Sequence, residues 1–251
     1  MSEDSLPAAG REGKDRAVVQ AMFDRVAPRY DLANRVLSAG QDARWRRVTA
    51  GAAAPAGGRV LDVAAGPGNV ARELVAHGAE QVTALDLSWN MLHQGARRAD
   101  PRITWVNGDA GRLPFADGVF DAVTISFGLR NVADPPGVLA EFARVLRPGG
   151  RAVVCEFAAP TTAWLRTVYL RYLVAALPRI ARVVSSSPEA YRYLADSIQA
   201  WPDRRAVADW MRDAGFGSVR VRDLSAGIVA VHRGVRQAGG GAGRRLDPSP
   251  G

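Results

Sequence analysis

Residues 60–68 read Val-Leu-Asp-Val-Ala-Ala-Gly-Pro-Gly, an apolar run that carries an acid and ends in a tight glycine turn. A second apolar run, Gln81-Val-Thr-Ala-Leu85, ends in Asp86. Strands that finish in carboxylates this way constrain the chain to a parallel α/β sheet binding an adenosine-containing ligand. The glycines let backbone approach the ligand, and the second carboxylate accepts hydrogen bonds from ribose hydroxyls. The turn is too short for G-x-G-x-x-G, because Asn69 and Ala71 stand where a diphosphate site needs close backbone and a third glycine. A third acid follows the strand Ile103-Thr-Trp-Val106, at Asn107-Gly-Asp109-Ala110. A compact glycine turn with further acids and no phosphate device suits S-adenosylmethionine and disfavours an NAD dehydrogenase.

Alternating patterns extend this start into a core. Strands are expected near 59–64, 81–86, 102–107, 119–126 and 150–155, with helices near 69–77, 89–99 and 134–146 between them. Gly78 stops the first of these helices, and Arg147-Pro-Gly-Gly150 makes the turn into the fifth strand. A helix at 203–214 precedes two last strands, 218–223 and 228–232. The short link between those strands holds Gly227, so they form an antiparallel hairpin. The expected class is α/β: a mostly parallel seven-stranded sheet with a terminal antiparallel hairpin, the class I S-adenosylmethionine-dependent methyltransferase fold. The methyltransferase domain spans 14–234, with a helical lid at 14–53 and a helical insertion at 161–200. Residues 1–13 and 235–251, polar and low in complexity, read as disordered tails.

Composition removes several classes. One cysteine, Cys155, excludes a disulfide framework and suits a reducing, cytoplasmic setting. No segment has the length and apolarity of a membrane span, and no apolar signal core opens the chain. The net charge of +8 is almost wholly arginine, since Lys14 is the sole lysine, and it is spread along the chain. A scattered pattern gives no nucleic-acid stripe. His77, His93 and His232 lack metal-ligand spacing, so no metal is expected.

Three blocks carry a specific resemblance. The first is Met22-Phe-Asp-Arg-Val-Ala-Pro-Arg-Tyr-Asp31, with Asn34, Leu37-Ser-Ala-Gly-Gln-Asp42 and Trp45-Arg46. The second is Thr124-Ile-Ser-Phe-Gly-Leu-Arg-Asn-Val132, preceded by Pro114-Phe115 and Phe120-Asp121. The third joins Tyr191-Arg-Tyr-Leu194, Ser197-Ile198 and Trp201-Pro-Asp203 to Ala226-Gly-Ile-Val-Ala-Val-His-Arg-Gly234. Across 18–234 the chain resembles the ubiquinone/menaquinone biosynthesis C-methyltransferases.

The resemblance implies C-methylation of demethylmenaquinol to menaquinol with S-adenosylmethionine as donor, or else methylation of another aromatic acceptor by a related enzyme. It places Asp86 on the ribose, Asp109 and Ala110 at the adenine edge, and Ser126 beside the methionine portion, with Asp62, Gly66 and Gly68 shaping the first loop. It offers Arg130, Asn131 and Tyr30 for the acceptor chemistry. Arg130 also has a structural alternative, an ion pair with Asp134 or Glu156, and Tyr30 has one as a buried tyrosine of the lid. Ala65, Pro67, Asn69 and Ala71 depart from the family's loop, each lost polar group being worth about 0.5–1.5 kcal/mol. An isoprenoid quinol needs an apolar wall, which the segment 164–177 could supply against the cytoplasmic membrane face. The alternative for that segment is packing on the core or on a second copy, as in a homodimer.

Overall fold

The first apolar run forms β1, Arg59–Val63, buried at all positions but its first. In the computed structural model, which describes residues 20, 24, 35, 38, 40–53, 57–98, 100–172 and 188–238, β1 is an interior strand of the sheet. On one side it pairs in parallel with β2, Gln81–Asp86, which pairs with β3, Ile103–Asn107. On the other lie β4, Phe120–Ser126, and β5, Leu146–Phe157, also parallel. The hairpin of β6, Phe216–Leu224, and β7, Val229–Arg236, closes that edge antiparallel, giving the order β3-β2-β1-β4-β5-β7-β6. This is the class I methyltransferase sheet.

Helices fill the crossovers. They are α1, Asp42–Ala53; α2, Asn69–Ala76; α3, Trp89–Ala96; and α4, Pro135–Val145. The insertion contributes α5, Ala163–Arg171, and α6, Pro188–Gln199, and α7, Arg204–Asp213, leads into the hairpin. Their starts are locally encoded. Ser88 accepts from the Met91 amide, Asp134 from Gly137, and Asp203 from Arg205 and Ala206. Each such cap is worth roughly 0.5–2 kcal/mol.

Alternation along the strands sends side chains into two apolar layers. Leu61, Val63, Leu85, Ile125, Leu139 and Phe142 pack on one face of the sheet. Val60, Leu74, Val82, Val153, Cys155 and Trp45 pack on the other. A fully buried side chain such as Phe142 contributes about 1.5–3 kcal/mol. Cys155 lies at 1% exposure in β5, and burial pushes its thiol up to about 12.

Two features differ from the sequence pattern. β5 begins at Leu146 because that residue pairs with Phe120, and Arg147-Pro-Gly-Gly150 bulges out before pairing resumes at Ala122 and Arg151. The turn is present, but inside a strand. β7 runs to Arg236, into the segment read as tail, because Val235 pairs with both Arg151 and Gly217, and Arg236 donates to the Leu146 carbonyl. The helical lid at 14–53 and the insertion at 161–200 are described only in part. Residues 1–19 and 239–251 lie outside the described residues. No described helix is long and apolar enough to cross a membrane.

Candidate functional site

The strand order reverses between β1 and β4, and their carboxyl ends part to leave a crevice, the place where open α/β sheets bind ligands. A cavity of about 250 Å³ opens there. Gly66, Asp86, Asp109, Ala110, Ser126 and Asn131 all line it, delivered by the ends of β1, β2, β3 and β4 and by the turn after β4. Asp62, Gly68 and Arg130 do not line it.

At one end, Asp86 is held in place by backbone. Its Oδ2 accepts from the Gly66 amide at 2.7 Å and its Oδ1 from the Ser88 amide at 2.8 Å. Burial raises its pKa against those two hydrogen bonds, with the nearby Asp24 carboxylate adding to the rise. Asp24, which precedes α1 in the chain, accepts from the Ser88 hydroxyl. Asn107 donates to the Asp86 and Leu87 carbonyls at 3.0 and 2.9 Å, locking the end of β2. Asp109 accepts from the Gly111 amide at 3.1 Å, which turns the chain so that Ala110 and Gly111 present backbone to the cavity.

At the other end, polar atoms are buried without partners. Asp62 accepts from the Thr124 hydroxyl at 2.7 Å through Oδ1, while its Oδ2 has no hydrogen bond. Ser126 Oγ and Asn131 Oδ1 are likewise buried and unpartnered. Burial pushes the Asp62 carboxyl up to about 7, against the Thr124 hydrogen bond and with the Asp86 charge adding to the rise. The unsatisfied polar atoms of Ser126 and Asn131, both lining the cavity, are the mark of a ligand with polar groups of its own. The backbone here is also drawn in close. Ala64 and Phe127 have φ of +52° and +58°, and a Cβ on Gly128 would come within 2.5 Å of the Ala64 Cβ. These residues suit the ribose, the amino acid portion and the sulfonium of S-adenosylmethionine. The loop's departures are braced in their own way: Arg72 donates to the Pro67 carbonyl at 2.9 Å and to the Asn69 side chain at 2.6 Å.

Arg130 belongs to one turn of 3-10 helix, Leu129–Asn131, and is 6% exposed. Its Nη1 donates to Glu156 at 2.9 Å and to the Phe127 carbonyl at 2.5 Å, and its Nε to Ser197 at 3.3 Å. Of the two ion-pair partners weighed from sequence, Glu156 is the one present; Asp134 instead caps α4. The guanidinium carbon sits 5.2 Å from the Phe157 ring centroid. Phe157 in turn meets Phe127 and Trp45, with centroids 4.9 and 6.3 Å away, so an aromatic wall adjoins the cavity. Tyr30 lies outside the described residues. Sequence reasoning missed Thr124, Met91 and the wall itself. A hydroxyl inside the apolar strand β4, directly in register with Asp62, was the available signal for Thr124.

Comparison with known proteins gives a consistent result. Residues 11–236 match the model of the ubiE/COQ5 methyltransferase family. A demethylmenaquinone methyltransferase of Mycobacterium marinum is 57% identical over 224 residues, covering 89% of this chain and 95% of that protein. Among solved structures, a methyltransferase of Thermotoga maritima, described as a possible histamine N-methyltransferase, superposes with a TM-score of 0.60 at 19% identity, covering 87% of this chain and 99% of that one. A phosphoethanolamine N-methyltransferase of Haemonchus contortus, solved with S-adenosyl-L-methionine, gives 0.57 at 16% identity, covering 78% and 53%.

Proposed function

Because the chain belongs to the ubiE/COQ5 methyltransferase family, we propose that its crevice carries C-methylation of demethylmenaquinol to menaquinol. It is an S-adenosylmethionine-dependent methyltransferase. The observation that carries the proposal is the pair of unpartnered polar groups, Ser126 and Asn131, that line the cavity beside Phe127, which packs with Trp45 and Phe157. That arrangement provides polar groups for the donor and an aromatic, apolar surround for an aromatic acceptor.

When bound, S-adenosylmethionine supplies a methyl group on a cationic sulfur. Asp86 would hold the ribose, and Asp109 and Ala110 would meet the adenine edge. Asp62, Gly66 and Gly68 would shape the first loop around the ligand, and Ser126 would lie beside the methionine portion. The acceptor ring carbon would take the methyl as the sulfur–methyl bond breaks, leaving neutral S-adenosylhomocysteine, and would lose its own proton to water, restoring the aromatic ring. Arg130 spends its Nη1 and Nε donors on Glu156, Phe127 and Ser197, which leaves Nη2 for an acceptor oxygen. Asn131 offers its unpartnered Oδ1 in the cavity that it lines, and Tyr30 is a further group proposed for the acceptor chemistry. Alignment of this kind can supply roughly 7–11 kcal/mol of the barrier.

The acceptor's isoprenoid tail is met by α5. Trp164 and Val168, one turn apart, are 68% and 55% exposed, with Arg166 and Arg171 on the same short helix. This combination suits the headgroup region of an anionic bilayer.

The test is transfer of labelled methyl from S-adenosylmethionine to a reduced short-chain demethylmenaquinol, with a benzoquinol in parallel. Labelled menaquinol is the expected product. Cofactor binding without methylation of either quinol would give the site to another aromatic acceptor.

A further inference from the structure

Against Phe157 of the aromatic wall lies a cluster that nothing above uses. Tyr169 of α5 and Tyr193 of α6 are each 7% exposed, and both hydroxyls are buried with no hydrogen-bond partner. Phenol hydroxyls buried in proteins find partners as a rule, because leaving one unpaired forfeits its hydrogen bonds to water. Here two helices from one insertion each bury an unpaired hydroxyl.

The two share a destination. Ser197 lies one turn beyond Tyr193 on α6, and positions four apart share a helix face. Ser197 accepts from Arg130 Nε, so the face that carries Tyr193 is the face turned to Arg130. Tyr169 packs with Ala195 and Ile198 of the same helix, against Phe157, whose ring lies beside the Arg130 guanidinium. The Arg130 charge acts on both phenols, and that of Glu156 on Tyr169. Burial raises both phenols above their ordinary range, so they remain protonated and able to donate. Next along the chain from Arg130 is Asn131, which lines the cavity with its own unpaired oxygen. Beside the cavity, then, aromatic rings, one fixed cation and two unpaired phenol donors come together, a composition that suits an aromatic ring bearing oxygens.

We infer that the hydroxyls of Tyr169 and Tyr193 are the hydrogen-bond partners of the acceptor's ring oxygens, and that the insertion thereby selects a dihydroxy-aromatic acceptor. This rests on the quinol reaction proposed above. The hydroxyls bind and orient the acceptor, while Arg130, fixed by Glu156, supplies the charge.

The experiment measures equilibrium binding of a reduced short-chain demethylmenaquinol to the full chain saturated with S-adenosylhomocysteine. Wild type, Tyr169→Phe and Tyr193→Phe are compared, and 1-naphthol serves as a second acceptor with a single oxygen. Thermal melting of each free protein is recorded beside it. Each Phe variant should raise the quinol Kd about tenfold, leave the S-adenosylhomocysteine Kd unchanged and narrow the preference for quinol over naphthol. The free variants should melt at or above the wild-type temperature, because each loses a hydroxyl that had no partner. Unchanged quinol binding in both variants overturns the assignment, and so does a lowered melting temperature, which would reveal a structural partner. If wild type binds the quinol in the expected way but methylates nothing, the reaction fails and the subsite stands. If wild type methylates the quinol and the Phe variants match it, the subsite alone falls.

Discussion

Asp86 and Asp62 sit in one crevice with different supports, and each gives its own prediction. The Asp86 carboxylate is fixed by two backbone amides, so it presents its remaining lone pairs in one orientation. Asp86→Ala should weaken S-adenosylmethionine binding by roughly 1.5–3 kcal/mol, measured by calorimetry, and an unchanged Kd would remove the ribose assignment. Asp62 has one oxygen satisfied and a pKa of about 7 against an ordinary 3.8. The folded chain therefore binds that proton more tightly than the unfolded chain does. Its contribution to stability is greatest below the unfolded value, declines as pH rises, and is flat above the folded value. Asp62→Asn stays neutral throughout, so in the free protein it should gain on wild type by on the order of 2 kcal/mol between about pH 5 and about pH 8. Parallel melting curves across that range would show that Asp62 is already ionised when buried. The acids that end strands were legible in sequence because position at a strand end is itself the signal. Arg130 was legible only as far as a choice of partners, since Glu156 arrives through sheet pairing. Tyr169 and Tyr193 were not legible as a pair, because only packing of the insertion brings them to Arg130.

At the level of elements, α2 and α3 are spaced by one ring. The Trp105 indole of β3 lies where a Cβ on Gly68 or on Gly95 would fall, at 2.3 Å in both cases. Gly95→Ala should cost about 1–3 kcal/mol through overpacking, read by chemical denaturation. A smaller ring at Trp105 should return most of that loss in the double variant; additive losses would show that the indole is not the obstacle. Gly68 has a second reason to be glycine, its φ of +73° at the start of α2. The sequence reading saw Gly68 only as loop chemistry, because Trp105 is distant along the chain and the shared contact is tertiary. The same limit applied to β5. Arg147-Pro-Gly-Gly150 correctly signalled a reversal of local direction, but composition does not say that Leu146 is already paired with Phe120. The strands and the terminal hairpin were legible, since periodicity and link length carry them, whereas the order of the strands is set by pairing.

For the molecule as a whole, the excess of arginine acquires a direction only at α5, where Trp164 and Val168 stand clear of the core. Flotation with vesicles of about 30% anionic lipid should carry the protein upward at low salt, and Trp164→Ser should reduce the bound fraction several-fold. A dimer in light scattering with no flotation would assign that face to a second copy instead. Within the sheet, Cys155 is the chain's sole cysteine, buried in β5 with its thiol pushed up to about 12. In the folded state it is therefore chemically silent, and a thiol-reactive dye can record only the moments when the central sheet opens. The labelling rate then becomes a clock for unfolding that needs no engineered probe. Adding S-adenosylmethionine at about 100 times its Kd should slow that clock by roughly a hundredfold, the kinetic counterpart of about 2.7 kcal/mol of linkage.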